Sequence, residues 1–213
     1  MNFVVIGSTG LVGKLVVKKL IEDEKTVSVT SISRRKLHID STKLKQIEIE
    51  DLNALSLKSL EISASSYICA LGTTIKSAKT KENFRKVDYE LALSFGQMAE
   101  RSKCNSFHLV SAAGADKNSI FFYNKVKGEI ENAISNLNIP SINIYRPSLL
   151  IGDRKEKRKL EEIGIKSFNA FENFLPNKIS KRIGTKVYDL TQKIIANVFK
   201  HQNGVNFFNS IDF

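Results

Sequence analysis

Phe3-Val4-Val5-Ile6-Gly7-Ser8-Thr9-Gly10-Leu11-Val12-Gly13 is the stretch whose reading decides the fold of this chain. Four apolar residues run into a turn of three glycines, and the turn runs into an amphipathic repeat. Leu11, Val12, Leu15, Val16 and Leu20 recur at helical spacing while Lys14, Lys18 and Lys19 take the opposite face. A buried strand, a tight turn and a helix follow one another without a linker. In such a GxxGxxG turn the first glycine permits unusual backbone angles. The second lets the backbone approach a pyrophosphate, and the third lets helix and strand pack closely. The uncapped N–H groups at the helix start then favour an anion. Gly7, Ser8, Thr9, Gly10, Leu11, Val12 and Gly13 are accordingly expected to cradle the phosphates of a dinucleotide.

Outward from this segment, apolar runs alternate with helical stretches, the pattern of an α/β fold with a mainly parallel, doubly wound sheet of Rossmann type. Strands are expected at Phe3–Ile6, Val27–Ser33, Gln46–Glu50, Ser66–Leu71, Phe107–Ser111, Ile142–Tyr145 and Val205–Phe208. Val87, Leu91, Phe95 and Met98 mark one helix face, and Val126, Ile130, Ala133, Ile134 and Leu137 another. The 213 residues contain three prolines and no repeat or low-complexity linker, so residues 1–213 read as one domain. Residues 150–186 form its least regular part, a small substrate-side or lid segment with the basic run Arg154–Lys159 and the aromatics Phe168, Phe171 and Phe174.

Composition narrows the function classes. No apolar run approaches the roughly 20 residues of a membrane span, and Phe3–Ile6 is too short for a signal-peptide core. The expectation is a cytoplasmic protein that does not enter membranes. Cys69 and Cys104 form no CxxC pair, and the three histidines, His38, His108 and His201, are scattered, so no metal site is expected. The net charge of +11 raises nucleic acid as a partner. The lysines are spread along the whole chain rather than gathered, and nucleic acid is set aside.

The end of the second strand bears on cofactor choice. A carboxylate there would bind the ribose 2′-hydroxyl of NAD. This chain has Ser33-Arg34-Arg35 instead. Two guanidinium groups suit a 2′-phosphate, so NADP(H) is preferred, with NAD(H) possible. Three further residues suggest chemistry. Ser111 ends the fifth strand, at the sheet edge where such folds bind ligands. Tyr123 and Lys127 stand at i and i+4, on one face of the next helix. A nearby ammonium lowers a phenol's pKa, and the phenol can then exchange a proton with a substrate oxygen. Five tyrosines among many lysines make a chance YxxxK easy. The position after a serine-ended strand is what raises this one above chance.

These segments resemble the short-chain dehydrogenase/reductase superfamily, in its atypical branch, and within it the Tat-interactive-protein-like oxidoreductases and their bacterial relatives. The resemblance rests on Gly7–Gly13, Ser33-Arg34-Arg35, Cys69-Ala70-Leu71-Gly72-Thr73-Thr74, Val87-Asp88, Ser111 with Gly114-Ala115-Asp116, Tyr123–Glu129 and Tyr145-Arg146-Pro147-Ser148. It implies Ser111, Tyr123 and Lys127 as the catalytic set, with Tyr123 and Lys127 also touching the cofactor. It implies further that Leu71, Gly72, Thr73 and Thr74 pass the cofactor's ribose and phosphate. Asp51 and Leu52 would edge the adenine, and Arg146 and Pro147 would line the nicotinamide end. Many members carry an asparagine in the helix before the serine strand. Here Val87-Asp88 takes that place. The implied activity is reduction of a small carbonyl substrate by a monomer or homodimer. The alternative is a dinucleotide-binding sensor or scaffold without turnover.

Overall fold

The structure, a computed structural model, describes residues 1–151, 184–200 and 202–213. The basic run and the aromatic group of the lid segment lie outside the described residues.

Strand β1 (Asn2–Ile6) buries its side chains on both faces. Val4 and Ile6 pack on one side of the sheet, Phe3 and Val5 on the other. A strand buried twice over belongs in the centre of a parallel sheet. Helix α1 (Leu11–Glu22) follows the glycine turn and buries Val12, Val16, Val17 and Leu20. The chain then moves outward through β2 (Ser28–Ser33) and β3 (Leu44–Glu48). The short helix α2 (Ala54–Lys58) follows, capped by Asn53. From there the chain crosses to the other side of β1, where β4 (Ser66–Cys69) pairs with it.

Helices α3 (Ile75–Ala78) and α4 (Lys81–Arg85) lead into a π-helical segment, Lys86–Leu91, continued by α5 (Ala92–Arg101). Strand β5 (Ser106–Val110), helix α6 (Phe122–Ser135) and strand β6 (Ser141–Arg146) complete this half. Two short strands, β7 (Leu150–Ile151) and β8 (Thr185–Lys186), pair in parallel. Helix α7 (Val187–Val198) and strand β9 (Gly204–Asn209) follow. The seven long strands run in the order β3-β2-β1-β4-β5-β6-β9, every pairing parallel. The doubly wound Rossmann sheet expected from the sequence is therefore what forms. Its order reverses between β1 and β4, where the carboxyl ends diverge and leave a crevice for a ligand.

Several boundaries differ from the sequence reading. β2 begins at Ser28 and leaves Val27 69% exposed. β3 begins and ends two residues earlier than expected. None of its residues is fully buried at this edge of the sheet, and pairing of Val29 with Leu44 sets where it begins. β5 ends at Val110, which puts Ser111 just beyond it. The helix expected through Val87 and Leu91 is interrupted by the π turn. Helix α7 and the β7/β8 pair were not expected from the sequence. Cys69 and Cys104 are free thiols in the core, and burial pushes each up to about 12. Among the described residues no helix is long and apolar enough to cross a membrane.

Candidate functional site

The glycine turn lies at the carboxyl end of β1, against the carboxyl end of β4. Gly7 has φ +78°, and a Cβ there would sit 2.4 Å from the Ala70 carbonyl oxygen. A Cβ on Gly13 would fall 2.3 Å from the Gly7 oxygen, so the helix start is pressed onto the turn. Gly10 differs. Its N–H donates to the Gly7 carbonyl at 3.0 Å, and a Cβ there would meet only that oxygen, at 3.3 Å. No side chain caps α1, which leaves the N–H groups of Leu11, Val12 and Gly13 outside the helix ladder. Across the crevice a Cβ on Gly72 would meet nothing within 4 Å. An uncapped helix start facing open glycine backbone fits a pyrophosphate. Thr9 is exposed at this turn, and Leu11 is partly buried against the core. Ser8 has only its backbone to offer there, because its side chain is fully buried with Oγ 2.7 Å from Ser31 Oγ.

At the end of β2, Ser33 is buried and donates to the Arg35 carbonyl at 2.7 Å, which folds the following loop back. Gln46 of β3 holds the same loop by accepting from Leu37 N–H and donating to its carbonyl. Arg34 and Arg35 project from this braced turn, both exposed. Asp51 and Leu52 follow β3 at the same edge. Asp51 is exposed and accepts from Asn53 Nδ2 at 2.9 Å, while Leu52 packs against the core.

On α6, Tyr123 is partly buried and its ring lies 5.5 Å from that of Phe84. Lys127, one turn on, is 4% exposed and places Nζ 2.6 Å from Asp88 Oδ1. The contact is an ion pair, since Oδ1 makes no hydrogen bond of ordinary geometry. The other oxygen, Oδ2, accepts the Thr73 N–H at 2.9 Å. Asp88 thus joins the turn Leu71–Thr74 to the Lys127 ammonium. Burial works against the charge on Lys127, but Asp88 and then Tyr123 hold its pKa above the ordinary value.

This arrangement corrects one expectation. Lys127 does not lower the phenol of Tyr123 below its usual range. Burial raises it, Lys127 pulls it back, and Asp88 raises it again, leaving the phenol above its ordinary value.

Ser111 is a second correction. It is buried, and its hydroxyl donates to Glu131 Oε1 at 2.5 Å. The single hydroxyl proton is committed there, so while that bond stands Ser111 cannot donate to a substrate oxygen. Arg146 is taken up by the same carboxylate. Its Nε lies 3.1 and 3.2 Å from the two Glu131 oxygens and its Nη2 lies 2.6 Å from Oε2. The guanidinium also stacks 4.6 Å from the Phe207 ring. It therefore faces a cleft of about 450 Å³ between α6 and β9, whose lining includes Glu131 and Arg146 but neither Tyr123 nor Lys127. Pro147 is buried and receives the Ala113 N–H at 2.8 Å. Glu131 went unread in the sequence, although it stands at i+4 from Lys127 and repeats the Tyr123–Lys127 spacing.

The parallel sheet, its order reversing beside the glycine turn, and the uncapped helix start beyond that turn define a Rossmann-type α/β protein. Residues 27–180 match the HIM1 family, and the chain belongs to it. It is 37% identical over 164 residues to the mitochondrial protein FMP52 of Candida albicans, covering 75% of this chain and 72% of that protein. It is 28% identical over 203 residues to HTATIP2 of Rattus norvegicus, covering 94% and 82%. Among solved structures, MoeE5 in complex with UDP-glucose and NAD superposes with a TM-score of 0.71 at 12% identity. That match covers 98% of this chain and 75% of MoeE5, a likeness of fold. The cytoplasmic placement read from the short apolar start is corrected by these relatives. The FMP52 proteins are named as mitochondrial, which points to mitochondria rather than the cytoplasm.

Proposed function

We propose that this chain is an oxidoreductase that binds NADP(H) and reduces a small carbonyl substrate. The observation that carries the reading is the buried Lys127 one turn from Tyr123, tied through Asp88 to the turn after β4. Leu11, Val12 and Gly13 would receive the pyrophosphate on their N–H groups. Arg34 and Arg35 would take the 2′-phosphate. Gly72 and Thr73 would pass the ribose, and Asp51 and Leu52 the adenine. The bound nicotinamide would supply hydride. Tyr123 would hold the substrate oxygen and give it a proton. Lys127 would keep that proton transfer within a positive field and reach the nicotinamide ribose. Ser111, bound to Glu131, would anchor the end of β5 to α6 rather than grip the substrate.

Titration with NADPH and NADH, followed by nicotinamide fluorescence, tests the cofactor half. Tight NADPH binding, weaker NADH binding and loss of the preference in Arg34→Ala/Arg35→Ala are expected. Absence of binding by either dinucleotide would overturn it. Turnover of a carbonyl panel tests the catalytic half: Tyr123→Phe should abolish it while dinucleotide affinity stays near wild type. A second reading, a dinucleotide-binding sensor without turnover, draws on the committed Ser111 proton. Binding together with no turnover on the panel would select it.

A further inference from the structure

Strand β9 is the outer strand of the sheet, beside β6. Its Phe208 turns to one face, with its ring 5.2 Å from that of Tyr145. Val205 and Phe207 turn to the other face and stay 41% and 44% exposed. There they border the cleft of about 450 Å³ against α6. Clefts that take small molecules run from about 300 to 1,000 Å³ and are lined by apolar groups with a few placed polar ones. The opposite wall is set by Gly128. A Cβ there would lie 2.1 Å from the Lys117 amide nitrogen, so the missing side chain lets Asp116 and Lys117 press onto α6. Lys117 also lines the cleft and donates to Asn132 Oδ1 at 3.2 Å. Between the walls stands Arg146. Glu131 takes its Nε and Nη2, and the Phe207 ring lies 4.6 Å from the guanidinium carbon. These contacts fix the guanidinium plane before any ligand arrives. Its third nitrogen, Nη1, has no hydrogen-bond partner among the described residues, and 29% of the side chain is exposed. A guanidinium so held is a preorganised donor for a planar acceptor.

We infer that the cleft between α6 and β9 is a binding site for a small carboxylic acid with an aromatic or branched aliphatic body. The body lies against Val205 and Phe207, and the carboxylate meets Arg146 Nη1 with Lys117 beside it. Net charge does not select this ligand. Glu131 neutralises Arg146, and Asp116 offsets Lys117. Hydrogen-bonding capacity does select it. Nη1 carries two N–H groups, and the Lys117 ammonium keeps two beyond its bond to Asn132. On the acceptor side, one oxygen of Asp116 is taken by the Asn118 N–H at 2.9 Å, and both oxygens of Glu131 are held by Arg146 and Ser111. Open donors therefore outnumber open acceptors, and an ionised carboxylate, which only accepts, matches that imbalance. Neither Tyr123 nor Lys127 borders the cleft, and the glycine turn lies four strands away at β1, so the site is separate from the crevice between β1 and β4. It stands whether or not the chain reduces a carbonyl.

The test is a titration of the full chain, without dinucleotide, by 3-phenylpropionate, followed in nitrogen-15 amide NMR spectra. Saturable shifts should gather at Lys117, Asn132, Val205 and Phe207, with a dissociation constant of about 1 mM or below. The uncharged amide of the same acid should bind at least about tenfold more weakly, because the charge-assisted contact to the guanidinium is lost. Phe207→Ala should weaken the acid at least about fivefold. Arg146→Lys keeps a charge beside Glu131 but not the fixed fork, and should cost about tenfold. Should Arg146→Lys not fold, Phe207→Ala and the amide leave the Glu131 pair intact and are read instead. Tyr123→Phe should leave the affinity within about twofold. No saturable shift in the cleft up to about 10 mM would overturn the inference. So would equal binding of acid and amide, or affinity that Phe207→Ala leaves unchanged. A loss in Tyr123→Phe, with shifts at the glycine turn instead of β9, would place the probe in the crevice and overturn it as well. NADPH binding is decided apart from this, by the fluorescence titration.

Discussion

Asp88 and Lys127 together place two opposite charges where water does not reach. Such a pair contributes little net stability over an apolar pair of the same shape, but removing one partner strands the other. Asp88→Asn is expected to lower unfolding free energy by about 3–5 kcal/mol in urea denaturation. Asp88→Asn/Lys127→Met should recover most of that loss, and equal losses in both variants would mean that packing rather than charge sets the cost. The glycines separate in the same way. Gly13→Ala forces a Cβ against the Gly7 carbonyl and should cost about 1–3 kcal/mol. Gly10→Ala meets only the Gly7 oxygen at 3.3 Å and should leave stability within about 1 kcal/mol. Its methyl would enter the space read as the pyrophosphate site, so NADPH affinity should drop at least about tenfold. Unchanged affinity by fluorescence would remove the phosphate role of this turn.

At the scale of elements, a buried polar chain links strands to the helix covering them. His108 of β5 lies 3.0 Å by Nε2 from Ser106 Oγ and 3.0 Å by Nδ1 from the Tyr145 hydroxyl of β6. That hydroxyl also accepts from Asn197 Nδ2 of α7, at 3.2 Å, and Ser106 donates to Ser66 of β4 at 2.7 Å. Burial drops the His108 imidazole from 6.5 to about 3, so the folded protein holds it neutral. The unfolded chain takes up that proton below pH 6.5 and the folded one does not until about pH 3. Stability should be at full strength above pH 6.5 and decline steadily as pH falls from there toward 3. Urea midpoints measured along that window in wild type and His108→Asn check this, and the variant should show a shallower decline. An equal slope would assign the acid sensitivity to other groups.

For the molecule as a whole, the sheet carries two separate apolar layers, one under α5 and α6 and one under α1 and α7. The crevice between β1 and β4 lies where the chain changes from building one half to building the other. A ligand seated there touches elements from both halves, so binding should stabilise the entire fold rather than one edge. At NADPH about a hundredfold above its dissociation constant the gain is about 2.7 kcal/mol. For a domain of this size that is a rise in Tm of about 5–10 °C. Calorimetry should show that rise in wild type and a much smaller one in Arg34→Ala/Arg35→Ala. A rise with NADH but none with NADPH would reverse the reading of the two arginines.

Local pattern alone determined a great deal here. The run Phe3–Ile6 into Gly7, Gly10 and Gly13 announced a buried strand, a tight glycine turn and a helix, because each depends on neighbours a few residues apart. The i, i+4 spacing of Tyr123 and Lys127 put both on one helix face for the same reason. Helix α7 went unread, although Val187, Leu190, Thr191, Ile194 and Val198 recur at helical spacing. What tertiary structure decided were directions and partners. The hydroxyl of Ser111 turns to Glu131, 20 residues on, and Arg146 joins them from the next strand. The pairing of Leu150 with Thr185 closes a long excursion that no short window spans. Asp88 shares the buried helix face of Phe84, Leu91 and Phe95, but the lysine its carboxylate meets there comes from another helix. Hydrophobic periodicity reports which face is buried. Which polar groups meet inside that face is set by packing between segments distant in the chain, and at this site those meetings hold the charges and the protons.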